Sequence, residues 1–382
     1  MKQSERTLLS TLLCAALAVS GALPALAEDA EPIQINEDLS VSGDYDWTRF
    51  AEDHITLNVY NWGLYISDGS DESVDVLSAF EELTGIKVNY TTFDSNESLY
   101  AKMKSGGASY DVIFPSDYMV GKMIQEGMLA ELDYSNIPNF SRIGEDYRGW
   151  SFDPDNAYSV PYTWGTTGII YNSKYVDEAD VTGWELLWNE KYAGKILMFD
   201  NSRDAFGIAE YLLGYSVNTT DSAELQACAD KLAEQKPVVQ QYVMDQIFDA
   251  MENEEAWIAP YYAGDYLTMV EENPDLRFFR PEDQGYNLFV DGICIPTCAK
   301  EKEAAETFIN FLIDPEICAQ NLDFLGYSVP ETEAKQYLDA ELVANDVAYP
   351  SEEQLRNATS FDFLPEETSR EMESLFMTVR NG

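Results

Sequence analysis

Residues 55–93 read ITLNVYNWGLYISDGSDESVDVLSAFEELTGIKVNYTTF, and the fold class follows from how the apolar period changes along them. Ile55 to Trp62 alternates toward a strand, Ser73 to Leu83 carries its apolar residues at helical spacing, and Ile86 to Phe93 returns to a strand. Asp94 opens another helix, with Asp94 and Glu97 at the spacing of a capping box, a structural motif with no functional weight. Asp111 to Pro115 reads as a third short buried strand, followed by an amphipathic helix from Asp117 to about Gln125. Strands alternating with helices predict a βαβαβα unit on a parallel sheet.

A second unit follows Pro161. Thr166 to Tyr171 is strand-like, Trp184 to Trp188 helical, Lys195 to Phe199 a strand, and helices follow near 205–213, 222–235 and 240–253. Short strands are expected at Trp257 to Tyr261 and Leu276 to Phe279, and a long one at Tyr286 to Pro296. Lys300 to Ile313 places Ala304, Ala305, Phe308, Ile309, Phe311 and Leu312 on one helical face and stops at Asp314-Pro315. No repeat or Pro-rich linker divides the chain, so two lobes are expected with the chain crossing between them more than once.

The 382 residues suit two or three domains at roughly 150 residues each. Sixty-nine acidic against 23 basic side chains give a formal charge of −46, which repels phosphate backbones and anionic lipid and argues against a nucleic-acid partner. His54 is the only histidine, so sites that need several histidines are excluded. Lys2 and Arg6 precede an apolar run from Leu8 to about Leu23, and Ala25-Leu26-Ala27 offers small residues for cleavage, which reads as a secretory signal over 1–27. Cys14 raises a lipid anchor as the alternative, although Thr11-Leu12-Leu13 lacks the small residue expected before a lipidated cysteine. Residues 28–54 are acidic and without period, and read as a tether or loosely docked arm. Cys228, Cys294, Cys298 and Cys318 remain after export, readable as small buried hydrophobes or as including one disulfide.

In open parallel sheets ligands sit beyond the carboxyl ends of the strands. Asn61-Trp62-Gly63-Leu64-Tyr65 and Ser116-Asp117-Tyr118 are two such ends. Tyr261-Tyr262-Ala263-Gly264-Asp265 is a third, where Asp265 also reads as a plain N-cap, and Asn201-Ser202-Arg203-Asp204 is a fourth, where Arg203 reads as pairing with a carboxylate. Asp291 is the sharpest anomaly, because it shares a strand face with Phe289, Ile293 and Ile295. It either meets a cation or is turned to solvent by a bulge at Gly292. Aromatic faces, several carboxylates and few bases suit an elongated organic cation: each face contributes roughly 0.5–2 kcal/mol, and a desolvated ammonium needs a carboxylate.

Several ordered stretches resemble the periplasmic spermidine/putrescine-binding proteins, the solute receptors of polyamine ABC transporters. They include Tyr60-Asn61-Trp62, TTFDSNESLYAKMKSG from Thr91, DVIFPSDYMV from Asp111, YSVPYTWGTTGIIYN from Tyr158, VTGWELLWNEKYAGKI from Val181, LGYSVNTTD from Leu213, VDGICIP from Val290 and AKEKEAAETFINFLIDPE from Ala299. The resemblance implies an α/β, two-lobed periplasmic-binding-protein-like fold of type II, with lobe 1 over 55–164 plus 290–335 and lobe 2 over 165–289 plus 336–382. It implies a non-enzymatic receptor, exported to the periplasm or the outer face of the cell membrane, monomeric and without cofactor. Its expected guest is putrescine or spermidine, and its expected partner a membrane permease with a cytoplasmic ATPase.

By the same resemblance Trp62, Tyr65, Ser116 and Tyr118 match cleft residues of the first lobe. Asp204 stands where the family has an amine-binding glutamate, and Asp291 matches the principal amine-binding aspartate. Tyr262 and Phe289 fall where tryptophans are usual, Tyr327 matches a cleft tyrosine, and Asp265 matches an acid of the putrescine-selective branch. Asn201 replaces an aspartate, Gly63 replaces a hydroxyl residue, and a polar residue is missing near Phe361, so the choice of polyamine stays open. The competing readings are a ferric-iron receptor using phenolates such as those of Tyr261 and Tyr262, and a secreted glycoside hydrolase using Asp204 and Asp291 as acid and base.

Overall fold

The computed structural model describes residues 31–382 apart from positions 38, 71, 72 and 108. The expected leader over 1–27 and Cys14 lie outside the described residues. Strands β1 (Ile33–Gln34) and β2 (Ser40–Val41) form a small antiparallel pair. The first lobe then runs β3 (Thr56–Trp62), α1 (Val76–Thr84), β4 (Lys87–Phe93), α2 (Asn96–Lys104), β5 (Val112–Ile113) and α3 (Asp117–Gln125), with β3 parallel to both β4 and β5. The helices are closed locally: Asp75 caps α1 through Ser78 N, and Gly85 ends it at φ 74°, where a side chain would be strained. For α2 the cap is Ser95, in a reciprocal box with Ser98, so Asp94 and Glu97 are released from the capping role that their spacing suggested.

β6 (Ser159–Asn172) is the spine of the molecule, buried along all 14 residues. Its first half pairs antiparallel with β11 (Tyr286–Cys294), and the two form the bridge between lobes. Its second half lies between β9 (Ile258–Tyr262) and β10 (Leu276–Phe279), both antiparallel to it. The rest of the second lobe is β7 (Ile196–Phe199), α4 (Ser202–Leu213), α5 (Ser222–Gln235), β8 (Val239–Val243), α6 (Ile247–Glu252) and α7 (Ala263–Glu272), with β7 parallel to β8 and β9. The sheet order is β4-β3-β5-β11-β6-β9-β7-β8. Helix was expected from 240, but Val239–Val243 is a strand; its β-branched and aromatic residues complete the edge beside β7.

Helices α8 (Lys302–Leu312) and α9 (Pro315–Leu325) return to the first lobe, with Pro315 both stopping α8 and starting α9 at its first position. A short helix α10 (Ala340–Val343), strand β12 (Ala358–Thr359) beside β11, and α11 (Glu366–Asn381) complete the chain. Two main cores result. One gathers side chains from 39–162 and 289–334, the other from 169–286 and 364–379, and a smaller cluster of the first lobe covers the opposite sheet face around Tyr60, Phe93 and Met123. The fold is therefore the two-lobed α/β arrangement, bridged by β6 and β11. Leu338 and Tyr349 pack on the first core; we accordingly propose that 336–350 goes with the first lobe rather than the second, where the sequence division puts it.

The arm is not loosely docked. Leu39, Val41 and Trp47 are each no more than 2 % exposed and belong to the first core. Ser42 N donates to Asp314 Oδ2 at 3.0 Å, and Arg49 reaches Asn136 Oδ1 and Thr307 Oγ1 at 2.8 Å. These apolar residues have no period because they sit in a strand pair and turns. Among the described residues no disulfide forms: Cys228, Cys294 and Cys318 are buried free thiols and Cys298 is an exposed one. Among the described residues no helix is long and apolar enough to cross a membrane.

Candidate ligand-binding cleft

The carboxyl ends of β3, β4 and β5 from one lobe and of β7, β8 and β9 from the other meet between the lobes. β3 delivers Trp62 and Tyr65, β4 delivers Asp94, and β5 delivers Ser116 and Tyr118; from the other side β7 delivers Asn201 and Asp204, β8 delivers Asp245, and β9 delivers Tyr262 and Asp265. The bridging strand β11 adds Phe289 and Asp291, and the turn after α9 adds Tyr327. One cavity thus brings together every residue singled out from the sequence for this role.

On the first-lobe side the Trp62 indole donates to Phe114 O at 2.8 Å, which fixes its ring against Phe93 at 4.6 Å between centroids. Tyr65 packs edge-on to Tyr162 and Tyr327, and its hydroxyl donates to Asp291 Oδ2 at 2.5 Å. The expected bulge does occur between Asp291 and Gly292. It does not turn Asp291 to solvent: Gly292 N donates to Pro115 O, Ser116 bridges to Asp291, and the aspartate stays 5 % exposed. The cation expected beside it is not among its protein partners. Burial pushes its carboxyl up to about 6, against the pull of the Tyr65 and Ser116 hydroxyls, with Asp204 adding to the rise.

Phe289 stands opposite Gly165 on β6, where an added Cβ would lie 2.7 Å from the ring. Glycine there lets the ring lie flat on the strand and face the cleft. Its other neighbour is the Tyr262 ring, 5.4 Å away and near perpendicular.

On the second-lobe side Asn201 is the cap of α4, accepting from Asp204 N at 2.8 Å and donating through Nδ2 to Asp204 Oδ2 at 2.8 Å. Tyr262 donates to the same oxygen at 2.8 Å. Burial raises Asp204 above the usual carboxylate range, while the Tyr262 and Asn201 contacts oppose the rise. Arg203 does not pair with a carboxylate; it is buried, donates to Val217 O and Asn218 Oδ1, and lies 4.2 Å above the Phe361 ring. Asp265 is not the N-cap of α7 but a first-turn residue, whose Oδ2 accepts from Tyr327 at 3.0 Å. Burial pushes it up to about 7. The Tyr327 ring reaches it by lying on Gly264, 2.7 Å from where a Cβ would be, so this contact joins the two lobes.

Burial holds Tyr65, Tyr118, Tyr262 and Tyr327 well above the ordinary tyrosine range, so they act as hydroxyl donors. Those hydroxyls are taken up by Asp291, Glu97, Asp204 and Asp265, an arrangement of phenol donors on carboxylates rather than of phenolates gathered around a metal. Among the described residues no group of three or more His, Cys, Asp or Glu side chains is arranged to hold a metal.

Residues 75–351 match the family model described as bacterial extracellular solute-binding protein. A spermidine/putrescine-binding periplasmic protein of Escherichia coli is 36% identical over 308 residues, 80% of this chain and 86% of that protein. This chain belongs to the bacterial extracellular solute-binding proteins. A putrescine-binding periplasmic protein of Pseudomonas aeruginosa is 31% identical over 363 residues, covering 90% of this chain and 97% of its own length. The solved substrate-binding protein PotD of a spermidine/putrescine ABC transporter from Streptococcus pneumoniae superposes with a TM-score of 0.73 at 37% identity, over 86% of this chain and 99% of its own.

Within this solute-binding protein the cavity also contains residues to which the sequence reading gave no ligand-binding role. Glu97 accepts from the Tyr118 hydroxyl at 3.1 Å, and Asn96 donates to that hydroxyl at the same distance. Asp94, Asp117 and Asp245 add carboxylates, while Phe93, Phe248 and Phe361 add apolar faces. The end of β4 was a legible signal for Asp94, whereas Asp245 was hidden because β8 read as helix. Among the described lining residues there is no Lys, Arg or His.

Proposed function

We propose that this chain captures putrescine or spermidine between its lobes and hands it to an ABC permease driven by a cytoplasmic ATPase. The observation that carries the reading is the set of three carboxylates, Asp204, Asp265 and Asp291, each held by a tyrosine hydroxyl in an aromatic cavity with no basic side chain among its described lining residues. An ammonium group leaving water needs an anionic receiver, and aromatic walls suit the methylene segments between amines. The names of the relatives support the same guest class. In this reading the chain works as an exported monomer, binding and releasing its guest without making or breaking a bond, and the negative field of the molecule concentrates cations at the cleft. Asp204, Asp265 and Asp291 would receive the amines, and Trp62, Tyr65, Tyr118, Tyr262, Phe289 and Tyr327 would enclose the chain, with Ser116 and Asn201 orienting the acids. Titration calorimetry with putrescine, spermidine and a neutral diamide tests it. Heat from the amines alone is expected; equal affinity for the diamide overturns the ionic part.

A further inference from the structure

Asp117 is the first residue of α3, 1 % exposed, and lies in the wall of the cleft. Its Oδ1 accepts from Tyr118 N at 2.7 Å, but its Oδ2 is buried without a hydrogen-bond partner. Asp291, 5 % exposed in the same cavity, has the same defect: Oδ2 is met by Tyr65, while Oδ1 completes no hydrogen bond, the Ser116 hydroxyl favouring the ionised carboxyl only from nearby. The segments that carry the two acids are tied by the Ser116 bridge to Asp291 and by Gly292 N donating to Pro115 O at 3.0 Å. Burial holds Asp117 well above the usual carboxylate range, and the Asp291 carboxylate adds to the rise. The charged groups that face Asp117 are Asp291 from β11 and Arg203 from α4, and Arg203 directs its donors to Val217 O, Asn218 Oδ1 and Asp362 O.

A buried carboxylate oxygen without a donor is costly, at roughly 1–3 kcal/mol or more for a charged group. Two such oxygens on adjoining segments of one wall call for a guest with several N–H donors on a single positive atom. A primary ammonium has three such donors, as a lysine head does, and a tertiary ammonium, equally charged, has one. We propose that Asp117 is a further ligand-contacting residue, which together with Asp291 receives one terminal primary ammonium and selects it over ammonium groups with fewer N–H donors. The inference rests on the polyamine reading and names a requirement of one end of that site.

The test is calorimetry of the full chain with putrescine and with N,N,N′,N′-tetramethylputrescine, in the wild type and in Asp117→Asn, which keeps the shape and removes the charge. The wild type is expected to prefer putrescine by more than about tenfold, the worth of one charge-assisted hydrogen bond. Asp117→Asn is expected to lose about tenfold in putrescine affinity and much less for the tetramethyl compound, so that the preference narrows. A preference that is absent in the wild type, which needs no variant to fold, overturns the inference. So does a variant that keeps both affinities, or that loses both equally, as a merely structural residue at the start of α3 would. If neither putrescine nor spermidine binds the wild type, it is the polyamine reading itself that fails.

Discussion

Tyr65 and Asp291 are 226 positions apart in the chain, and the hydroxyl of one donates to the carboxylate of the other at 2.5 Å. The contact arises because only the two-residue β5 separates β3 from β11, so the tyrosine in the loop after β3 becomes the donor for a strand aspartate at the β11 bulge. It stabilises the ionised form of Asp291 in a place where burial opposes ionisation.

Asp291→Asn is expected to weaken putrescine by at least about 30-fold, since removing one partner of a buried hydrogen-bonded charge pair costs 2 kcal/mol or more. Tyr65→Phe is expected to cost less, and to cost more at low pH than at high, because without the hydroxyl Asp291 takes up its proton more readily. Calorimetry of both variants at two pH values checks this. A Tyr65→Phe defect that shrinks on acidification would contradict it.

The raised acids set a pH dependence with a definite sign. Asp265 rises from 3.8 to about 7 and Asp291 from 3.8 to about 6. A carboxyl raised by folding contributes stability below its unfolded value that is lost as pH climbs through its folded value. Between pH 4 and 7, therefore, these groups should make the free protein progressively less stable. An ammonium guest binds the ionised acids, so its affinity and its stabilising effect should rise over the same interval. Thermal melts at pH 5, 6, 7 and 8, with and without putrescine, read both trends. A melting-point shift on adding putrescine that is largest at pH 5 would reverse the sign and refute the account. Asp265→Asn should flatten the upper part of the free protein's curve.

The strand ends were legible in the sequence because β3 and β4 read as strands by their period and β5 as a short apolar run, and each runs out into aromatic, hydroxyl or acidic residues. Helices such as α5, at Ser222–Gln235, follow directly from apolar spacing. Asp245 was not legible, because a five-residue edge strand beside a six-residue helix offers too little period to separate the two. Glu97 was masked by a capping-box spacing that Ser95 and Ser98 actually fill. The tyrosine-to-aspartate bonds were beyond any local pattern. Tyr327 to Asp265 joins two lobes across 62 positions, and the resemblance pointed to Tyr327 without its partner.

Gly165 offers a packing test of the aromatic wall. An alanine there would bring a Cβ to 2.7 Å from the Phe289 ring, and β6 is buried on both faces, so the ring rather than the strand must yield. Overpacking of this kind costs about 1–3 kcal/mol. Gly165→Ala is expected to lower both denaturant stability and putrescine affinity, while Asp291, two positions along β11, keeps its raised carboxyl. Unchanged affinity would show that Phe289 does not contact the guest.

The N-terminal arm separates stability from binding. Trp47 is 1 % exposed, donates through its indole to Ser42 O at 2.9 Å, and stacks edge-on against Phe311 of α8. Removing so large a buried ring costs about 3–5 kcal/mol. None of residues 39–50 lines the cleft. Trp47→Ala should therefore lower the urea midpoint sharply and leave putrescine affinity within about twofold under conditions where the protein is folded, since distant sites act additively. If the midpoint moved by less than the cost of an exposed substitution, about 0.5 kcal/mol, the arm would be a tether after all. A large fall in affinity with the fold intact would instead mean that the arm governs how the first lobe presents β3 and β11 to the guest.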